Sequence, residues 1–116
     1  LTPEGRADPL LAGLPEHFPI FQWHDDTFTL PRGGVRLAGN MAAHNQAFRI
    51  GRAGYGVQFH FEADRRLVQE WNRVFATELA ERQPDWPARH EAEEARHGEA
   101  ADAAGRAIAA AWAGLV

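Results

Sequence analysis

The sequence predicts an α/β fold in which a mixed sheet of about four short strands is followed by helices at the C-terminus. Up to about Asp64, short apolar or alternating runs are separated by Pro, Gly and Asn, which is typical of strands and turns. Beyond Asp64, helix formers dominate and turn residues are rarer. The length of 116 residues suits one domain with a modest core.

The N-terminal part of the chain supplies the predicted strands. Residues 2–14 carry Pro and Gly around two leucines, which predicts a loop with one short helical turn. Alternating or continuously apolar segments predict strands at residues 19–24, 35–38, 46–50 and 55–60. Residues 27–30 predict a weaker extended segment, and the predicted turns at 32–34 and 51–54 are rich in Gly. Short turns between strands favour antiparallel pairing, at least locally.

The C-terminal part supplies the predicted helices. Asp64 is a good N-cap for a helix over about residues 65–81, because apolar residues recur there at helical spacing. Two prolines then break the pattern. A polar helix is expected over residues 88–97, and Gly98 is expected to kink or interrupt it. An Ala-rich helix over residues 100–113 is expected to dock on the rest of the domain.

Some side chains of these helices have structural rather than chemical interpretations. Trp71 and Trp112 lie on apolar helical faces and are expected to be core or interface anchors. His90 and His97, seven residues apart on a polar helix, are expected to be solvated. The glutamates around Glu93 predict a solvated face, with contact to a basic partner surface as the alternative.

Composition excludes several classes of function. The formal net charge of −4 gives no electrostatic reason to expect nucleic acid. No apolar run approaches the roughly 20 residues that span a bilayer, and no signal peptide is visible, so we expect a cytoplasmic location without a membrane partner. The absence of Cys excludes disulfides, thiolate metal sites and a Cys nucleophile supplied by this chain. The first residue is Leu1, which predicts a chain that begins partway through a larger protein or follows a removed tag or propeptide.

One pair of residues has a spacing suited to chemistry. Residues i and i+2 of an extended chain point to the same side, with Cα atoms about 6.6–6.8 Å apart, so His60 and Glu62 are expected to lie side by side. A carboxylate there accepts from one imidazole nitrogen and leaves the other free as a base. On spacing alone, however, a surface His near a Glu at a strand end is the commoner explanation.

Three segments resemble motifs of the class I glutamine amidotransferases. Residues 56–62, Gly-Val-Gln-Phe-His-Phe-Glu, are similar to the "GxQFHPE" motif that ends that domain. Residues 21–31 resemble the "WHxDTFxLP" segment of the stand-alone, GMP-synthase-like branch, and residues 45–49 resemble its "NQAFR" strand. The motifs occur in the family's order and cover roughly residues 1–80. The resemblance therefore assigns residues 1–82 to the C-terminal portion of that domain and 83–116 to a C-terminal helical extension.

The resemblance implies a Cys-His-Glu catalytic triad that hydrolyses the side-chain amide of glutamine, with no cofactor and no metal. By motif position, His60 is the general base and acid and Glu62 orients it. Phe61 replaces the family's usual Pro, and His24 matches a residue expected to be structural or to line the pocket. The implied fold is a flavodoxin-like open sheet with helices on both faces. The motifs identify no residues for glutamine binding and no ammonia acceptor.

The same resemblance shows what the chain lacks. Family members carry their Cys at a strand-to-helix turn written "GxCxGxQ", well upstream of the His, and nothing here matches it. Alone, the chain is therefore expected to be inactive as a glutaminase and to require a Cys-containing N-terminal half or partner chain. Half of an open sheet also leaves an unpaired edge and an uncovered apolar face, so we expect a homo-oligomer or pairing with the missing part.

Several interpretations remain open. The chain is a fragment of a full-length amidotransferase, or one of two polypeptides that assemble into a site, or a non-catalytic oligomerisation or binding half-domain. A metal site is a weaker alternative, since imidazole and carboxylate ligands suit zinc or manganese. Its candidate ligands are His24, Asp25, Asp26, His60 and Glu62.

Overall fold

The computed structural model describes residues 1–116 as four helices and three strands. In chain order these are α1 (Pro3–Ala7), β1 (Gly34–Ala38), β2 (Ala47–Ile50), β3 (Gly54–Val57), α2 (Arg65–Val74), α3 (Ala76–Arg82) and α4 (Trp86–Leu115). The α/β class is confirmed. The sheet, however, is wholly antiparallel with the order β1-β2-β3, so the mixed sheet of about four strands is wrong.

Turn chemistry explains the parts of the sheet that the sequence predicted. Gly33 and Gly51 have positive φ values of 78° and 59°, which glycine adopts without strain in the two turns. The second turn joins β2 to β3 as a hairpin in which Phe48 pairs with Gly56. A Cβ at Gly56 would collide with the Phe48 ring, so the first residue of the 56–62 motif must be small.

The segment over residues 19–24 is not the strand that its composition predicted. It forms no ladder, and its one backbone hydrogen bond is accepted by the Phe21 carbonyl from the His60 N–H at 2.9 Å. Residues 27–30 are also irregular, and the Asn45 side-chain amide donates to the Phe28 carbonyl at 2.9 Å. Apolar composition favoured a strand here, but a strand exists only where a partner supplies repeated bonds. The predicted strand at 55–60 likewise ends at Val57.

The core lies between one face of the sheet, the loop after α1 and the C-terminal half of α4. Seven residues form it: Leu10, Leu11, Leu37, Ala38, Ala47, Phe59 and Ile108. Beside it, the buried carboxylate of Asp8 accepts hydrogen bonds from the Leu10 N–H, the Arg49 guanidinium and the Tyr55 hydroxyl. This network connects the first loop to two strands of the sheet.

The helices depart from the sequence prediction in two places. Asp64 caps α2 by accepting from the Leu67 N–H at 2.8 Å, as predicted, but the expected helix over 65–81 breaks at Phe75 into α2 and α3. α4 is continuous from Trp86, so Gly98 interrupts nothing. Pro87 falls in the first turn of α4, where its missing N–H needs no partner, and therefore starts a helix instead of preventing one. No helix has both the length and the apolar character that crossing a bilayer requires.

Candidate functional site

His60 and Glu62 lie where the chain leaves β3 and turns towards α2. His60 Nδ1 is 2.7 Å from Glu62 Oε1, so the two side chains lie together, as their spacing predicted. A carboxylate oxygen only accepts, and Nδ1 therefore carries the proton of this hydrogen bond. The imidazole is 29% exposed, which leaves part of the ring open to solvent or to another chain. The contact fixes the ring's orientation, which a His–Glu pair in acid–base chemistry requires.

The second ring nitrogen of His60 is not free, contrary to the expectation from spacing. Nε2 lies 3.2 Å from the backbone carbonyl oxygen of Trp23. Because both neighbours of the ring are acceptors, only the doubly protonated imidazolium donates both hydrogen bonds. Nε2 serves as a base only when it has lost its proton and the Trp23 contact has opened.

Two aromatic side chains, Phe21 and Trp71, flank the imidazole of His60. The Trp71 ring, on α2, lies 5.2 Å from it and nearly perpendicular, and Phe21 lies 6.3 Å away on the other segment. Trp23 and Trp71 contact each other edge to face at 5.6 Å. Trp71 is thus an anchor in this aromatic cluster, while Trp112 is half-exposed and packs against Tyr55 at 5.9 Å. The cluster ties the irregular segment before the sheet to α2 at the position of His60.

The candidate metal ligands do not converge. His24 is bonded within its own loop, with Nδ1 2.8 Å from the Asp26 carbonyl and Nε2 2.8 Å from the Gln22 side-chain oxygen. Asp25 instead pairs with Arg82 at 3.0 Å. No three His, Cys, Asp or Glu side chains are close enough together to hold a metal ion. His24 was expected to be structural or to line the pocket; its local bonds suit the first role, and its side chain also lines a cavity beside Trp23 and Trp86.

The prediction that His90 and His97 form a solvated pair is wrong for His90. Its ring stacks on Trp86, with centroids 5.3 Å apart and planes 13° apart, and its side chain is only 16% exposed. Trp86 and His90 are four residues apart on α4, so they share one helical face. His97 is exposed, as expected. The i,i+4 aromatic spacing is the sequence signal that would have placed His90 against protein.

Two cavities near this region do not include the His60–Glu62 pair. A groove of about 540 Å³ lies between residues 17–21, α2 and α4, and a second cavity of about 420 Å³ is lined by Trp23, Phe75 and Trp86 among others.

The sequence did not identify the Trp23 carbonyl as a neighbour of His60. The sequence singled out Trp23 only as the residue before His24 in the segment that resembles the second family motif.

Comparison with known proteins found a likeness to a solved structure. No protein-family model matches the chain, and no curated protein matches it. Among solved structures, a glutamine amidotransferase from Thermotoga maritima superposes with a TM-score of 0.61 at 29% sequence identity. The aligned region covers 91% of this chain and 40% of that protein.

The fold is a small α/β domain with an antiparallel sheet and a His–Glu pair just beyond the last strand, β3. This domain has a glutamine amidotransferase-like fold, by its likeness to the Thermotoga maritima structure. The chain spans less than half the length of that structure.

Proposed function

We propose that this chain is the C-terminal part of a class I glutamine amidotransferase and supplies the His and Glu of its Cys-His-Glu triad. The observation that carries the proposal is the 2.7 Å contact between His60 Nδ1 and Glu62 Oε1, made by residues of the "GxQFHPE"-like motif. The likeness to a glutamine amidotransferase over 91% of the chain supports the same family. The substrate would be glutamine and the products glutamate and ammonia.

In the proposed reaction, a Cys thiolate from another part of the enzyme attacks the side-chain amide carbon of glutamine. The imidazolium of His60 gives the Nε2 proton to the leaving nitrogen, and ammonia departs as the glutamyl thioester forms. Neutral His60 then takes a proton from water, which attacks the thioester and releases glutamate and the thiolate. Glu62 holds the ring through Nδ1–H and stabilises its charged form in each step.

The proposal requires the chain to be inactive alone, because it contains no Cys. The nucleophile would come from an N-terminal half carrying the "GxCxGxQ" turn, either fused to this chain or as a partner chain. Release of the contact between Trp23 and His60 Nε2 would accompany assembly, since Nε2 is the nitrogen left to face the Cys. Residues 83–116 would form a C-terminal extension, and its buried Ile108 indicates that it folds onto the same core.

A reconstitution assay tests the proposal. The chain is mixed with, or fused to, a Cys-bearing half that contains the "GxCxGxQ" turn, and glutamate release from glutamine is measured. We expect no activity from either half alone and measurable turnover from the pair. His60→Ala is expected to lower kcat by about 10²–10⁴-fold, the usual contribution of general acid–base catalysis. His97→Ala, an exposed histidine on α4, is the matched control and is expected to leave the rate unchanged.

An alternative is a non-catalytic oligomerisation or binding half-domain. It is favoured by the lack of Cys together with the unpaired outer edge of β3 and the exposed apolar side chains of Ile50, Val74 and Phe75. On this alternative, sedimentation shows a stable homo-oligomer and no Cys-bearing half restores glutaminase activity. If reconstituted activity depends on His60, the catalytic proposal stands.

A further inference from the structure

The chain around Glu62 has little local support. The segment lies between the end of β3 and the start of α2, and no hydrogen bond between backbone groups involves Phe61, Glu62 or Ala63. The Glu62 side chain is 53% exposed, and its hydrogen-bonding partner is the ring of His60. The position of the Glu62 carboxylate therefore depends on what holds the chain on either side of it.

One face of α4 holds the chain on both sides of Glu62. Before it, the buried Gly105 lies so close to the Phe61 carbonyl oxygen that a Cβ there would collide with that atom. After it, Asp102 Oδ1 accepts from the Arg65 N–H at 3.3 Å and Asp102 Oδ2 accepts from Arg65 Nε at 2.7 Å. Asp102 and Gly105 are three residues apart in the helix, so they share this face.

Asp102 acts as a second cap of α2. The first N–H groups of a helix have no partner within the helix. Asp64 accepts from one of them, the Leu67 N–H, and Asp102 accepts from another, the Arg65 N–H, although it lies on a different helix. The Asp102 side chain is only 11% exposed, so water competes little for its oxygens. Asp102 thus fixes the start of α2 against α4.

The two hydrogen bonds of His60 make its tautomer depend on the position of Glu62. A neutral imidazole carries one proton, for which Glu62 Oε1 at Nδ1 competes with the Trp23 carbonyl at Nε2. A proton on Nδ1 leaves Nε2 free as a base, whereas a proton on Nε2 is donated to Trp23 and leaves no base there. Glu62 prevails only while its carboxylate stays within hydrogen-bond distance of Nδ1.

We propose that Asp102 is a positioning residue for the His60–Glu62 pair. By holding Arg65, it keeps the Glu62 carboxylate beside Nδ1 and so selects the Nδ1–H tautomer of neutral His60. The catalytic meaning of this tautomer rests on the proposed function, but the selection itself does not. The C-terminal helix would then contribute to the site as well as to the core.

Nuclear magnetic resonance measures the tautomer on the full chain, without glutamine or a Cys-bearing half. Long-range correlation from the carbon-bound ring protons gives the nitrogen-15 shifts of Nδ1 and Nε2 at alkaline pH, where histidine side chains are neutral. The signals of His60 are identified among six histidines by their loss in His60→Gln. We expect the Nδ1–H form to predominate in the unmodified chain. In Asp102→Ala, we expect the ratio of Nδ1–H to Nε2–H to fall by about fivefold or more, the equivalent of one hydrogen bond's net contribution.

Two control variants separate positioning from general stability. Glu91→Ala removes a carboxylate from an exposed position of α4, and Tyr55→Phe removes a hydrogen bond beside the core. Both are expected to keep the ratio of the unmodified chain. The proposal is overturned if Nε2–H predominates in the unmodified chain or if Asp102→Ala leaves the ratio unchanged. It is overturned as well if Tyr55→Phe shifts the ratio as far as Asp102→Ala does.

Arg65→Met tests the same link from its other side and decides the question if Asp102→Ala does not fold. The Arg65 side chain is 51% exposed, so its replacement is compatible with folding. We expect the ratio to fall in this variant too, and an unchanged ratio would overturn the proposal. In the reconstituted enzyme, Asp102→Ala is expected to lower kcat with little change in KM. A reconstitution that yields no activity would refute the proposed function, while the tautomer ratio still decides the role of Asp102.

Discussion

Replacement of Asp8 probes the buried network that connects the first loop to the sheet. The Asp8 side chain is 1% exposed, and its two oxygens have different partners. Oδ1 accepts from the Leu10 N–H at 3.0 Å and the Tyr55 hydroxyl at 2.9 Å, whereas Oδ2 accepts from Arg49 Nε at 2.7 Å. In Asp8→Asn, one oxygen becomes an NH₂ group. If the remaining oxygen of the asparagine side chain keeps the bonds from Leu10 and Tyr55, the NH₂ group faces the Arg49 Nε–H. Two donors then oppose each other, and the bond to Arg49 is lost.

The magnitude follows from which bonds are lost. A hydrogen bond to a charged group contributes about 1.5–3 kcal/mol, and Arg49 is 30% exposed, so water solvates part of the released cation. We expect Asp8→Asn to lower the free energy of unfolding by about 2 kcal/mol. Asp8→Ala also leaves the Leu10 N–H and the Tyr55 hydroxyl without an acceptor. We expect it to lower the free energy of unfolding by about 3–4 kcal/mol. Tyr55→Phe removes one bond and should cost about 1 kcal/mol.

Urea denaturation followed by circular dichroism measures these differences. Glu70→Gln is the matched control, because it removes a carboxylate from the exposed Glu70–Arg73 ion pair on α2 and should leave the unfolding midpoint unchanged. Equal urea midpoints for Asp8→Asn and Glu70→Gln would contradict this prediction. An Asp8→Ala variant that is as stable as Asp8→Asn would contradict it too.

Two further predictions concern the same fold. Burial, and then the hydrogen bond to Asp8, raise the pKa of Tyr55 above its ordinary value of 10.0, so the folded chain holds this proton to higher pH than the unfolded chain. The contribution of this protonated tyrosine to the free energy of unfolding is fully present below pH 10.0. It is lost as the pH rises through the raised pKa of Tyr55. Because Tyr55 is the single tyrosine, tyrosinate absorbance should show a higher midpoint in buffer than in urea, and coincident midpoints would contradict this. Gly105→Ala should destabilise the protein, because a Cβ there collides with the Phe61 carbonyl oxygen and this outweighs the roughly 1 kcal/mol that Ala gains in a helix. Gly114→Ala, on the same helix with open space around it, should not destabilise, and equal midpoints for the two variants would count against the close approach of α4 to Phe61.

The features that the sequence predicted correctly are local ones. The cap at Asp64, the hairpin turn at 51–54 and the contact between His60 and Glu62 each depend on residues within a few positions of one another. Turn and cap chemistry and the two-residue period of an extended chain determine such features with little help from the rest of the fold.

The features that it missed depend on distant partners. Residues 19–24 have strand-like composition but find only one backbone bond, which no local pattern reveals. The contact between the Trp23 carbonyl and His60 joins positions 37 residues apart through a backbone oxygen, which any residue type would supply. The break at Phe75 occurs where its ring packs on Trp23, with ring centroids 5.8 Å apart, and helix propensity does not predict this distant contact.

The proposed function requires a Cys half, encoded elsewhere, to complete the site that contains His60 and Glu62. The DNA sequence around the codon for Leu1 in the source genome tests this requirement. We predict a segment with the "GxCxGxQ" turn, either in frame upstream or in a separate reading frame that encodes a partner half. A genome that encodes no such segment would contradict the proposed function and favour the non-catalytic half-domain.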